Sequence, residues 1–146
     1  MENILVIDDE LMICEAISSY LKKHGFNVFT ANTGNDGLRI LKEQEISFII
    51  LDLMLPDMSG EEICSIVRSQ SRVPIIMLTA KTMEEDMING LSIGADDYIT
   101  KPFSLKNLYA RIQAVSRRSL KDLGQLANVQ AWNNSDLVID YELVKV

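Results

Sequence analysis

Phe48-Ile49-Ile50-Leu51-Asp52-Leu53-Met54-Leu55-Pro56-Asp57-Met58-Ser59-Gly60 is an apolar run that ends on one acidic residue and then turns. Ile49, Ile50 and Leu51 are continuous rather than alternating, which is how a strand covered on both faces of a parallel sheet reads. The C-terminal end of such a strand is the edge at which open α/β sheets hold their ligands. Asp52 stands at that edge. It is either a functional carboxylate or the cap of the following turn, although Pro56, Asp57 and Ser59-Gly60 already supply a turn and a helix start.

Working outward, Ile4-Leu5-Val6-Ile7 is a second such strand, running from Asn3 to Asp8 and ending on Asp8-Asp9. Over residues 10–24, Ile13, Ile17, Tyr20 and Leu21 fall at helical spacing and Gly25 closes the helix. Phe26 to Thr30 reads as a strand near the sheet edge. Thr33-Gly34-Asn35-Asp36 then opens a helix whose Leu38, Ile40 and Leu41 face inward. After the Asp52 strand, Ser59 and Glu62 form a capping-box pattern ahead of Ile63, Ile66 and Val67. Val73 to Leu78 is a fourth strand, with Pro74 at its entrance, where a missing donor does no harm, and it ends on Thr79-Ala80-Lys81. Thr82 and Glu85 repeat the capping pattern for a helix carrying Met87, Ile88 and Leu91. Asp97 to Thr100 is the fifth strand, ending on Lys101-Pro102-Phe103. Ser104 opens a last helix with Leu105, Leu108, Ile112 and Val115 inward. Five strands alternating with five helices predict an α/β fold, a doubly wound five-stranded parallel sheet flanked by five helices.

A length of 146 residues holds one full domain and at most a short appendage. The net charge of -7 argues against a nucleic-acid-binding surface on this polypeptide. Cys14 and Cys64 have no CxxC spacing and sit in apolar helical patterns, which suits buried, reduced thiols rather than zinc ligands or a disulfide. The N-terminal apolar run is too short for a signal peptide or membrane span, so a cytoplasmic location away from membranes is the default expectation.

In a parallel sheet all strand C-termini share one edge, so Asp8, Asp9, Asp52, Thr79 and Lys101 are expected to converge there. Crowded carboxylates raise one another's pKa unless a cation lies among them. Hard oxygen ligands with open positions suit Mg²⁺ (Mn²⁺ being a possible substitute), which often bridges a carboxylate to a phosphoryl oxygen. Thr79 and Lys101 add a hydroxyl and a point positive charge. The chemistry inferred is in-line phosphoryl transfer to Asp52. Taken singly, Asp8 and Asp9 could be first-turn helix residues, and Thr79 and Lys101 ordinary loop residues.

Ile7-Asp8-Asp9-Glu10, Leu51-Asp52-Leu53-Met54-Leu55-Pro56, Leu78-Thr79-Ala80-Lys81 and Lys101-Pro102-Phe103 together resemble the receiver domain of two-component response regulators over about residues 2 to 119. The resemblance implies a flavodoxin-like strand order 2-1-3-4-5. It implies that Asp52 takes a phosphoryl group from the phosphohistidine of a sensor histidine kinase, in a phosphoacceptor that promotes its own Mg²⁺-dependent phosphorylation and dephosphorylation without being a turnover enzyme. Asp9, Asp52 and the backbone carbonyl of Met54 would bind the metal directly and Asp8 through water. Thr79 and Tyr98 would switch together on phosphorylation, and the Lys101-Pro102 bond would be cis.

Gly94-Ala95-Asp96-Asp97-Tyr98-Ile99 and Ala110-Arg111-Ile112, with Arg117-Arg118, are similar to the OmpR/PhoB subfamily of transcription factors. That implies a homodimer through the fourth helix, fifth strand and fifth helix, with Asp97 paired to Arg111 and Asp96 to Arg118 across a two-fold axis beside Ile88 and Leu91. Met87 and Asn107 replace a pair that is usually basic and acidic, and Tyr109 is bulkier than usual, so this interface would be more apolar. The alternative is a solvated charged face. Residues 1–119 are then the receiver, 120–136 a linker, and 137–146 the opening strand of a truncated winged-helix domain, the missing part being what would contact promoter DNA; the alternative is a receiver with a disordered or swapped tail. A dehalogenase-like phosphatase is disfavoured because Asp8-Asp9-Glu10 is not its Asp-x-Asp pattern, and a pseudo-receiver because the acidic, Thr and Lys set is complete.

Overall fold

A computed structural model describes residues 2–80 and 94–127. The chain divides into two units, 1–105, which holds the whole sheet, and 106–146. In the first unit the elements are β1 (Asn3–Ile7), α1 (Leu11–Lys23), β2 (Asn27–Ala31), α2 (Gly34–Glu43), β3 (Phe48–Asp52), α3 (Gly60–Arg68), β4 (Ile75–Thr79) and β5 (Asp97–Thr100). All pairings are parallel and the order is β2-β1-β3-β4-β5. The expected helix beginning at Thr82 lies outside the described residues.

The order follows from handedness. From β1 the chain steps outward to β2, then returns past β1 to β3 and continues to β4, so right-handed crossovers put α1 on one face and α2 and α3 on the other. The side-chain period of two sorts the residues accordingly. Leu5, Ile7, Ile49, Leu51, Ile75 and Met77 form a cluster with Ile63, Cys64 and Val67 of α3, against which Leu38 and Leu41 of α2 pack. β3 and β4 are buried at every position, which is why they read as unbroken apolar runs. The central strand is β3, and the step reverses between β1 and β3.

Local signals behave as their chemistry requires. Ser59 and Glu62 form the complete reciprocal capping box. Thr33 Oγ1 accepts from the Asp36 amide to start α2. Gly25, after α1, has φ of 92°, a conformation that favours glycine. Cys14 and Cys64 are both free and buried. The fourth strand starts two residues later than expected because Pro74 can only accept: its carbonyl takes the amide of Ile49 at 2.9 Å.

The last described helix, α4, spans Leu105–Ala127. Leu108, Ile112 and Val115 are buried as expected. The helix runs into the stretch expected as linker, where Leu120, Leu123 and Ala127 repeat a 3-4 spacing of their own. Trp132 and the strand expected over 137–146 lie outside the described residues. Among the described residues, no helix is long and apolar enough to cross a membrane.

Candidate functional site

The strand tips bring four groups together at the switch point between β1 and β3. Asp8 follows β1 directly, Asp52 ends β3, Thr79 ends β4 and Lys101 follows β5. The ladders continue into these residues: the Asp8 amide donates to Ala31 O, Leu53 to Leu78 O and Lys101 to Thr79 O. Asp8, Asp52 and Thr79 are the buried polar side chains of the core, Asp8 fully so. The Lys101-Pro102 peptide is cis.

Lys101 is the hub. Its Nζ lies 2.9 Å from Glu10 Oε1, 3.0 Å from Asp8 Oδ2 and 3.5 Å from Asp52 Oδ2. Asp8 is used at both oxygens, since its Oδ1 accepts the Glu10 amide at 2.9 Å. Asp52 Oδ1 accepts the Met54 amide at 3.3 Å. Burial pushes the Asp52 carboxyl up to about 6 with help from the Asp8 charge, and Lys101 and the Met54 amide pull the other way. At neutral pH it is therefore ionised and poorly solvated, the state a nucleophilic carboxylate needs. Burial favours a neutral Lys101 most strongly of any single effect, yet the hydrogen bonds to Glu10 and Asp8 and the Asp52 charge together hold it ammonium well above its ordinary range.

Asp9 is exposed, and oxygens of Asp8, Asp9 and Glu10 lie within 4.8 Å of one another. With Asp52 nearby, this all-oxygen, anionic donor set fits a hard divalent cation. An apolar cleft of about 490 Å³, lined by Ile13, Ile17, Pro102 and Phe103 among others, opens beside the Glu10–Lys101 pair.

Two contributors went unassigned in the sequence. Glu10 was visible as the third acid of Asp8-Asp9-Glu10, but its reach to Lys101 depends on a contact spanning 91 positions. Arg68 carried no signal beyond a basic last turn of α3. Its Nε donates to Gly94 O, Nη1 to Val73 O, and Nη2 to Asp96 Oδ2 at 2.9 Å.

Asp96, expected to pair with Arg118 of another copy, is engaged within its own chain by Arg68 and by the Ile75 amide, with its side chain 35% exposed. The guanidinium fork of Arg68 is also fixed by two carbonyls, which preorganises it for that contact. Asp97 is half-buried, with Oδ1 accepting from the Tyr98 amide. Tyr98 is buried. In the second unit, Tyr109 and Arg111 on α4 are half-buried, and Gln113 donates to Tyr109 Oη. Ile88, Leu91 and the Arg118 side chain lie outside the described residues.

A doubly wound parallel sheet with buried carboxylates, a threonine and a lysine at its switch point defines the class, a flavodoxin-like α/β domain with an acidic pocket. The chain belongs to the response regulator receiver domain family, whose sequence pattern matches residues 4–113. It is similar to the receiver domain of Francisella response regulator 1452, at 32% identity and TM-score 0.77 over 82% of this chain and 99% of that one. The BeF3-activated N-terminal receiver domain of Klebsiella pneumoniae RstA is 29% identical with TM-score 0.76, over 80% and 99% of the two chains. Thermotoga maritima DrrB, described as an OmpR/PhoB homolog, is 38% identical with TM-score 0.75, over 82% of this chain and 54% of that one. Receiver domains of two-component systems serve as phosphoacceptors, and that is the role of the family to which this chain belongs.

Proposed function

We propose that Asp52 is the phosphoacceptor, taking its phosphoryl group from the phosphohistidine of a sensor histidine kinase. A carboxylate oxygen of Asp52 attacks phosphorus in line, the phosphorus–nitrogen bond breaks, and the electron pair leaves with the imidazole, giving an aspartyl phosphate. The single observation behind this assignment is Lys101 Nζ, 3.5 Å from Asp52 Oδ2 and fixed from behind by Asp8 and Glu10. The ammonium is thereby held beside the acceptor, where charge develops. The Thr79 hydroxyl, on the neighbouring strand tip, is the second group for the phosphoryl oxygens, and Tyr98 follows its movement.

Asp9, Asp52 and the Met54 carbonyl would hold Mg²⁺ or Mn²⁺, with Asp8 acting through water. When bound, the cation offsets the charge of the transferring phosphoryl group. Asp8 keeps Lys101 and the Glu10 amide in register, and the buried wall of β3 restricts water to the open side. In a regulator that carries an effector domain, phosphorylation would drive homodimerisation through Asp97, Tyr109, Arg111 and Arg118 with Ile88 and Leu91, and so transcription. Asp96 would join them from its exposed side, and the likeness to an OmpR/PhoB homolog supports that extension.

Incubation with Mg²⁺ and acetyl phosphate, followed by intact mass, tests the assignment. One added phosphoryl is expected in the wild type and none in Asp52→Ala. An unmodified wild type, or a modified Asp52→Ala, overturns it. Beryllofluoride should shift the wild type toward a dimer in light scattering, and Arg111→Ala should weaken that shift.

A further inference from the structure

The loop after Asp52 is held by contacts that its own sequence does not require. Asp57 Oδ1 accepts the Gly34 amide and Oδ2 the Asn35 amide, each at 2.8 Å, across 23 and 22 positions of chain. These are the first two N–H groups of α2, which no residue of α2 itself can satisfy. The ordinary cap is already present, since Thr33 serves the Asp36 amide. The same loop is closed on itself: Met54 bridges Ser59, and the Gly60 amide donates to Leu53 O at 2.7 Å. Met58 completes the seat by packing on Gly34, where a Cβ would lie 2.3 Å from its Cγ. The two amides also hold the Asp57 carboxyl below the usual carboxylate range.

We propose that Asp57 is a positioning residue, latching the Leu53–Ser59 loop onto the first turn of α2 and thereby fixing the Met54 carbonyl for a divalent cation. The proposal rests on the phosphoacceptor reading above. Asp57 is assigned no contact with the cation or the reacting atoms. It acts through the loop, and the loop presents the carbonyl. Outer groups that orient a metal ligand commonly change affinity by about 10–100-fold when removed. The lower end of that range suits a latch acting through three residues of backbone.

Titration of Mn²⁺ into the full chain, followed by the spin-resonance signal of free Mn²⁺, reads this without any turnover. Asp57→Ala is expected to weaken Mn²⁺ binding about tenfold, while Asp57→Asn, which keeps one acceptor oxygen, recovers most of the loss. With acetyl phosphate, Asp57→Ala should need correspondingly more Mg²⁺ but reach the wild-type limiting rate. Wild-type Mn²⁺ affinity in Asp57→Ala, accompanied by a lower unfolding temperature, makes Asp57 a helix cap and overturns the proposal. If Asp57→Ala does not fold, Asp57→Ser, too short to reach both amides, is read by the same criteria. A wild type that binds no Mn²⁺, or an Asp52→Ala that binds it undiminished, brings down the cation reading and the latch with it.

Discussion

Arg68 Nη2 lies 2.9 Å from Asp96 Oδ2, and that same oxygen accepts the Ile75 amide at 2.8 Å. One ion pair thus ties the end of α3 to the starts of both β4 and β5. The arginine side chain is 17% exposed, so its charge is largely out of water and its partners matter. Arg68→Ala takes from Asp96 its charged partner and strips two carbonyls of their donor, and is expected to cost about 2–4 kcal/mol in urea unfolding. Arg68→Lys should recover less than half, because an ammonium cannot span those acceptors as the planar fork does.

Removing the lysine exposes what it does for its neighbours. Lys101 is among the groups that lower the Asp52 pKa, against burial and the Asp8 charge. Lys101→Met should therefore move the Asp52 midpoint upward from about 6, as seen by carboxyl-carbon NMR titration. A midpoint that stays or falls means the lysine is not coupled to the acceptor.

Asp52 also predicts a pH dependence with a definite sign. Its folded value, about 6, exceeds the ordinary aspartate value of 3.8, so the folded state binds that proton more tightly. Ionisation therefore costs stability. The cost is absent below about pH 4, grows as pH rises, and is complete above about pH 6. Asp52→Asn, which carries no charge, should be more stable than wild type by about 1–3 kcal/mol at pH 7.5 and by little at pH 4. The initial phosphorylation rate of the wild type should fall as pH drops through about 6, where the carboxylate is lost. Thermal scans across pH and a rate profile check both.

Gly60 sits where two backbones meet. A Cβ on it would lie 2.5 Å from Asp52 O and 2.9 Å from Leu53 Cα, neither of which can rotate away. Gly60→Ala should cost about 1–3 kcal/mol and slow phosphorylation, because relief must come from moving Asp52 or the loop. Equal stability and rate would show that the strand tip yields freely.

The parts of this molecule legible in the sequence are those written in local periodicity and short motifs. The unbroken Ile49-Ile50-Leu51 run gave a doubly covered strand because burial on both faces removes any need for alternation. Ser59 and Glu62 gave a helix start because capping is settled within four residues. Asp8, Asp52, Thr79 and Lys101 could be placed together because a parallel sheet sends every strand tip to one edge. What stayed hidden depends on reach across the fold. Glu10 holding Lys101 and Asp57 holding Gly34 and Asn35 join segments that share no spacing rule. The hold of Arg68 on Asp96 stayed hidden for the same reason, since 28 positions of chain separate them.

β3 is the middle strand of five, and every residue in it is buried. Amides in such a strand exchange with solvent through global unfolding rather than local opening. Asp52 thus stands at the tip of a fully buried strand, while Pro56 and Asp57 a few residues away face solvent. Hydrogen exchange should rise steeply between Leu51 and the following loop, which places the freedom to respond to modification in the loops around the acceptor rather than in its strand.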